Sequence, residues 1–120
     1  FTDKAVLHFE KVLMYDKENV PAMARLGQIA LSRGDKDLGL KFAEKANKAA
    51  QENDERAQGL LLQRLAEAED SIDVEGLIRF VREASGAGAL LEEFEIQLEG
   101  QSKVPTEDAL EAYGRAFRRA

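Results

Sequence analysis

The residue most able to do chemistry at neutral pH is His8, the single histidine of the chain. Catalysis or metal coordination would need partners of matching chemistry beside it, and the sequence shows none. His8 falls in a column with Phe42, Phe80 and Ala112, so its expected role is packing. Carboxylates are the next candidates. Between Gln51 and Glu75, eight acids (Glu52, Asp54, Glu55, Glu67, Glu69, Asp70, Asp73, Glu75) face two bases, Arg56 and Arg64, a local charge of −6. Paired carboxylates can bind a hard cation, but the D-x-[DN]-x-[DN]-G spacing of an EF-hand loop is absent. The expected reading is a solvated helix face, with a docking patch for a basic partner as the alternative. Arg115, Arg118 and Arg119 complement the negative end of a last helix. Gly86-Ala87-Gly88 lacks the strand and the Lys-Ser/Thr of a phosphate-binding loop and reads as an interhelical turn. Ser32, Ser71, Ser85 and Ser102 have neither a G-x-S-x-G context nor a histidine partner. No catalytic residue, no metal site and no cofactor is expected, and the chain is expected not to be an enzyme.

Bulk properties narrow the partners. The 120 residues suit one core, and 17 basic against 23 acidic side chains leave a net charge of −6, which disfavours nucleic acid and anionic membranes. The absence of cysteine excludes disulfides and thiolate metal sites, and is compatible with cytosol or periplasm, the cytosol slightly preferred. The longest uncharged runs, Ala57 to Gln63 and Ala84 to Leu91, fall far short of the roughly 20 apolar residues that span a bilayer, so no direct membrane insertion is expected. Phe1 is followed at once by charge rather than by an apolar run, so no signal peptide is expected.

The elements that carry these residues repeat. Asp3 to Leu13, Asp37 to Asn47, Glu75 to Ser85 and Glu107 to Phe117 align, with starts 34, 38 and 32 residues apart. Their columns (Ala5, Gly39, Leu77, Ala109; Val6, Leu40, Ile78, Leu110; Phe9, Ala43, Val81, Tyr113; Val12, Ala46, Ala84, Ala116) fall at i, i+1, i+4 and i+7, one face of an α-helix. Three further helical stretches lie between them, marked by Met23, Leu26, Gly27 and Ala30; by Ala57, Leu60, Leu61 and Leu65; and by Leu91, Phe94 and Leu98. Breakers at Asn19 to Pro21, Arg33 to Asp35, Gln51 to Asp54, Asp70 to Asp73, Gly86 to Gly88 and Gly100 to Pro105 separate about seven antiparallel helices, in the order BABABAB, with no β pattern of useful length. Thr106 is the expected N-cap of the last helix, Ser71 or Asp73 of the third B helix, and Gly34 fits a left-handed turn.

These features resemble the tetratricopeptide repeat, a 34-residue helix-turn-helix unit. The best copy is Val20 to Asn53, with Met23, Leu26-Gly27, Ala30, the Gly34-Asp35 turn, Gly39, Ala43 and Ala46. Residues 1–19 resemble the second half of a preceding copy, and 54–86 and 87–120 read as divergent copies. The family's aromatic at the end of the first helix is replaced by Ala30 and Arg64, and its close-packing glycine by Leu61 in the divergent copy. The resemblance implies an all-α, right-handed superhelix in which A helices line a concave groove that holds a partner peptide or helix. Groove positions carried over residue by residue are Ala24, Arg25 and Gln28, then Gln58, Gly59 and Leu62, of which Arg25, Gln28, Gln58 and Leu62 are the candidate contacts. The expected function is a non-catalytic interaction scaffold, a piece of a longer repeat protein, for a partner of basic or mixed charge. Self-association through the uncovered first B helix, at Val6 and Phe9, is the alternative.

Overall fold

The computed structural model describes residues 3–120. Seven helices and two short strands follow one another: α1 Asp3–Tyr15, α2 Val20–Ser32, α3 Lys36–Ala49, α4 Asn53–Glu67, β1 Ser71–Asp73, α5 Val74–Ser85, α6 Ala89–Gln97, β2 Lys103–Pro105 and α7 Thr106–Arg119. The fold is the expected all-helical repeat, with adjacent helices packed as antiparallel neighbours.

Local chemistry sets the first boundaries. The Asn19 side chain accepts from the Ala22 N–H at 2.9 Å and opens α2, whose first turn tolerates Pro21 because that N–H has no intrahelical partner. Gly34, at φ +85°, turns the chain after α2, and Asp35 opens α3 by accepting from Leu38 N–H at 3.1 Å. The Glu55 carboxylate accepts from the N–H groups of Gln51 and Glu52 at the head of α4. Gly27 brings α2 against both α3 and α4: a Cβ there would lie 2.5 Å from Leu62 Cδ2 and 3.1 Å from Phe42 Cβ.

The strands were not expected. β1 and β2 form an antiparallel ribbon with Ile72 opposite Val104, both buried. Three residues per strand are too few for alternation to show, and both fall where the sequence reads as interhelical breakers. The ribbon also accounts for the longer 38-residue spacing before α5. It ties the heads of two helices together: Val74 N–H donates to Ser102 O at 3.0 Å, and Thr106 N–H to Asp70 O at 2.9 Å. Two caps need correction. Thr106 lies inside α7, with Pro105 at the N-cap, and its hydroxyl donates instead to Glu69 O at 2.7 Å. Ser71 is in β1, and Asp73 holds the N-cap position of α5 without a side-chain capping bond.

The larger departure is α7. It pairs with α6 and also folds back over α2 and α4. Its Leu110, Ala112, Tyr113, Gly114 and Ala116 are buried, and the main hydrophobic cluster runs from α2 to α7 through Leu61, Leu65, Phe94 and Tyr113. A smaller cluster of Val20, Met23 and Ala46 sits under Leu13 and Phe42.

Candidate functional site

Arg25 and Gln28 of α2 and the Gln58 carbonyl of α4 meet α7, whereas Leu62 lies against Gly27 of α2. Leu62 and Gln28 are completely buried, and Gln58 nearly so. Gln28 Nε2 donates to Leu110 O at 3.1 Å, and Arg25 Nη1 donates to Gly114 O at 3.2 Å. The Tyr113 hydroxyl donates to Gln58 O at 2.6 Å. Gly114 makes the approach possible, since a Cβ there would run into Gln28 Nε2. An open groove over Gln28 and Gln58 is therefore not what the chain forms: its own last helix fills it. Gly59, matched to a groove position, instead faces Asn47 of α3.

Arg25 alone of the four reaches the surface. Its guanidinium lies 5.6 Å from the centre of the Phe9 ring and 5.3 Å from that of Phe117, whose ring meets Tyr113 edge-on at 5.1 Å. Burial lowers its pKa, the Arg118 charge adds to the lowering, and Tyr113 opposes it. Among the described residues no carboxylate pairs with it, and its Nε is buried without a hydrogen-bond acceptor. Gln28 Oε1 and Gln58 Oε1 are also buried without donors. Each such atom costs on the order of 1–3 kcal/mol. The α7 contact is thus tight in shape and incomplete in hydrogen bonding.

The acidic segment divides into structural and exposed members. Asp54 is half-buried and accepts from Leu90 N–H at 3.0 Å and from Gln58 Nε2 at 3.3 Å, so it caps α6 from another helix, where Gly88 at the N-cap has no side chain to do so. Glu67 and Asp73 rim a hollow of about 350 Å³ between α4 and α5, in which Arg64 lies 3.8 Å over the Phe80 ring. His8 is not a packing residue: its imidazole is exposed and touches Phe9 edge-on at 5.2 Å. Ser85 donates back into its own helix, to Val81 O at 2.7 Å. Among the described residues no three His, Cys, Asp or Glu converge as metal ligands, and no helix is long and apolar enough to cross a membrane.

The residues that sequence reasoning missed are Asp54, Phe117 and Tyr113 as partners of the α2/α4 face. Phe9 and Tyr113 share a repeat column, which marks them as apolar-face residues, but nothing local tells that Phe117 and Phe9 would enclose one arginine.

Comparison with known proteins adds one match. A tetratricopeptide repeat model matches residues 2–65, more than half of the chain and the part that folds as α1 to α4. Curated proteins and solved structures gave no match. The helix-turn-helix pairs, the close approach at Gly27 and the match over residues 2–65 agree, and the chain belongs to the tetratricopeptide repeat family.

Proposed function

We propose that the chain is a non-catalytic interaction module that takes a partner peptide or helix of mixed charge along the edge of the concave face, where Arg25 lies between Phe9 and Phe117. The observation that carries this reading is a half-buried guanidinium with aromatic rings around it and no carboxylate of its own. A partner acid placed there gains a charge-assisted bond from a cation whose desolvation has already been met on folding. Gln28 and the Gln58 carbonyl hold α7, which carries Phe117, at this edge. Family membership supports protein binding in general, since a stacked helical scaffold offers a surface that loses little entropy on docking.

The test is a pull-down from source lysate with wild-type chain and Arg25→Ala, identified by mass spectrometry. A partner held by the wild type and lost by the variant supports the edge site. Equal retention moves the contact elsewhere. A second reading, self-association, is favoured by Leu7, Met14 and Tyr15, which stand on α1 with 58%, 75% and 92% of their surface exposed.

A further inference from the structure

Two surfaces of the molecule are left without partners, and they complement each other. The first is on α1, which has no buried residue. Leu7 and Met14 are seven residues apart and so share one stripe of the helix. In the other B helices the position of Leu7 is taken by Lys41, Arg79 and Glu111, and that of Met14 by Lys48, Gly86 and Arg118. The stripe is therefore apolar where the repeat is otherwise mostly charged. At about 100° per residue, Lys4 and Lys11 flank it on one side and Glu10 on the other, all three exposed.

The second surface is a cleft of about 490 Å³ between α5 and α6. α5 and α6 touch over only a short length beside it. Ile78 and Leu98 are buried at its floor, and Ile96 stands at its rim with 58% of its surface exposed. The α5 wall carries Arg79 and Arg82 against Glu75, and the facing wall carries Glu95 on α6 and Glu99 just beyond its end, with Arg82 and Glu95 paired at 2.7 Å. From Val74 to Arg82 the wall runs about 12 Å, and Leu7 to Met14 spans about 11 Å.

We propose that these surfaces form one interface between two copies of this chain: α1 of one copy seats in the α5/α6 cleft of the next, with Leu7 and Met14 against Ile78, Ile96 and Leu98. Charge selects the direction. One orientation sets Lys4 and Lys11 toward the acidic side of Glu95 and Glu99, and Glu10 toward the α5 wall, where two arginines outnumber Glu75; the reverse sets sides of like net charge together. The inference deepens the self-association reading and is independent of the Arg25 edge. Because the two surfaces differ, each copy keeps a free α1 and a free cleft after pairing, and association continues beyond a dimer unless it closes into a ring.

Sedimentation equilibrium of the purified full chain over rising concentration tests this. Wild type is expected to exceed the dimer mass. Leu7→Glu/Met14→Glu and, separately, Ile96→Glu are each expected to weaken association at least tenfold; all three positions are exposed, so circular dichroism melts should match wild type and separate lost contact from lost folding. An equimolar mixture of the two variants still holds one intact α1 and one intact cleft, and should give a heterodimer that stops at two copies. A wild-type mass that stays monomeric overturns the proposal. So does a dimer of the Ile96→Glu variant, which would mean that α1 pairs with α1, or a mixture that forms no heterodimer. None of these outcomes bears on capture of a partner at Arg25, so the two readings fail separately.

Discussion

From α1 to α4 each helix packs chiefly against its neighbours in sequence; from α5 to α7 the chain turns back on itself. In the first region Asn19, Gly34 and Asp35 set the turns, and Gly27 sets the closest helix approach. In the second, a three-residue ribbon fixes the heads of α5 and α7, and α7 reaches residues more than 80 positions earlier, through Gly114 to Arg25 and Leu110 to Gln28. The contrast shows how a repeat stops being open. Stacking of successive pairs leaves one face of α2 and α4 uncovered, and a single helix that reverses across it turns that face into core.

The sharpest way to break this comparison is to remove the anchor of α7. Tyr113→Ala empties a completely buried ring position and removes the hydroxyl bond to Gln58 O, and should cost about 3–5 kcal/mol, measured by urea unfolding. Because Tyr113 is in the same cluster as Leu61 and Leu62, unfolding should stay a single transition. A loss under about 1 kcal/mol would show that α7 merely rests on the repeat. Next in size is Gly27→Leu in the regular region. Leu62 is fully buried, so overpacking against it and Phe42 should cost about 2–3 kcal/mol, and a neutral result would contradict the α2, α3 and α4 packing.

How much of each region was legible follows the same division. Helical periodicity gives the helices because the signal is local: the columns of Ala5 and Val6 repeat in α3, α5 and α7. The breakers at Asn19 and Asp35 are legible for the same reason, and the structure adds that each caps the helix it precedes. Thr106 was misjudged because its hydroxyl bonds to Glu69, a residue brought in by the ribbon. His8 was assigned to packing because its column is mostly apolar, yet α1 has no helix over that side. The sequence does not tell what covers Arg25, Gln28 and Gln58, since burial by a helix 55 to 89 positions away leaves no period in it.

A smaller effect sharpens the boundary between the regions. Asp54 belongs to α4 and caps α6, so Asp54→Ala should cost about 1–2 kcal/mol. Amide hydrogen exchange should rise first at Leu90 and in the α6 turn that follows, while α2 and α3 remain protected. Uniform acceleration across α2 and α3 would mean that the cap supports the whole molecule rather than the second region.

The smallest neutral-pH effect, with a distinct pH signature, is expected from Tyr113→Phe. The ring stays, the bond to Gln58 O is lost, and the cost at neutral pH is about 1 kcal/mol. Burial raises the Tyr113 pKa well above 10.0, Arg25 pulls the other way, and Asp54 adds to the rise. The sign follows from proton linkage: above pH 10.0 the unfolded chain ionises this tyrosine while the folded chain keeps it neutral. The stability it contributes is thus complete below that pH and is lost as pH rises toward the raised folded value, by up to about 1.4 kcal/mol per pH unit. Urea midpoints of wild type and Tyr113→Phe, compared from about pH 8 to about pH 11, should converge as the wild type loses its advantage. Curves that stay parallel would mean that the hydroxyl meets water, and that α7 does not seal the face of α2 and α4.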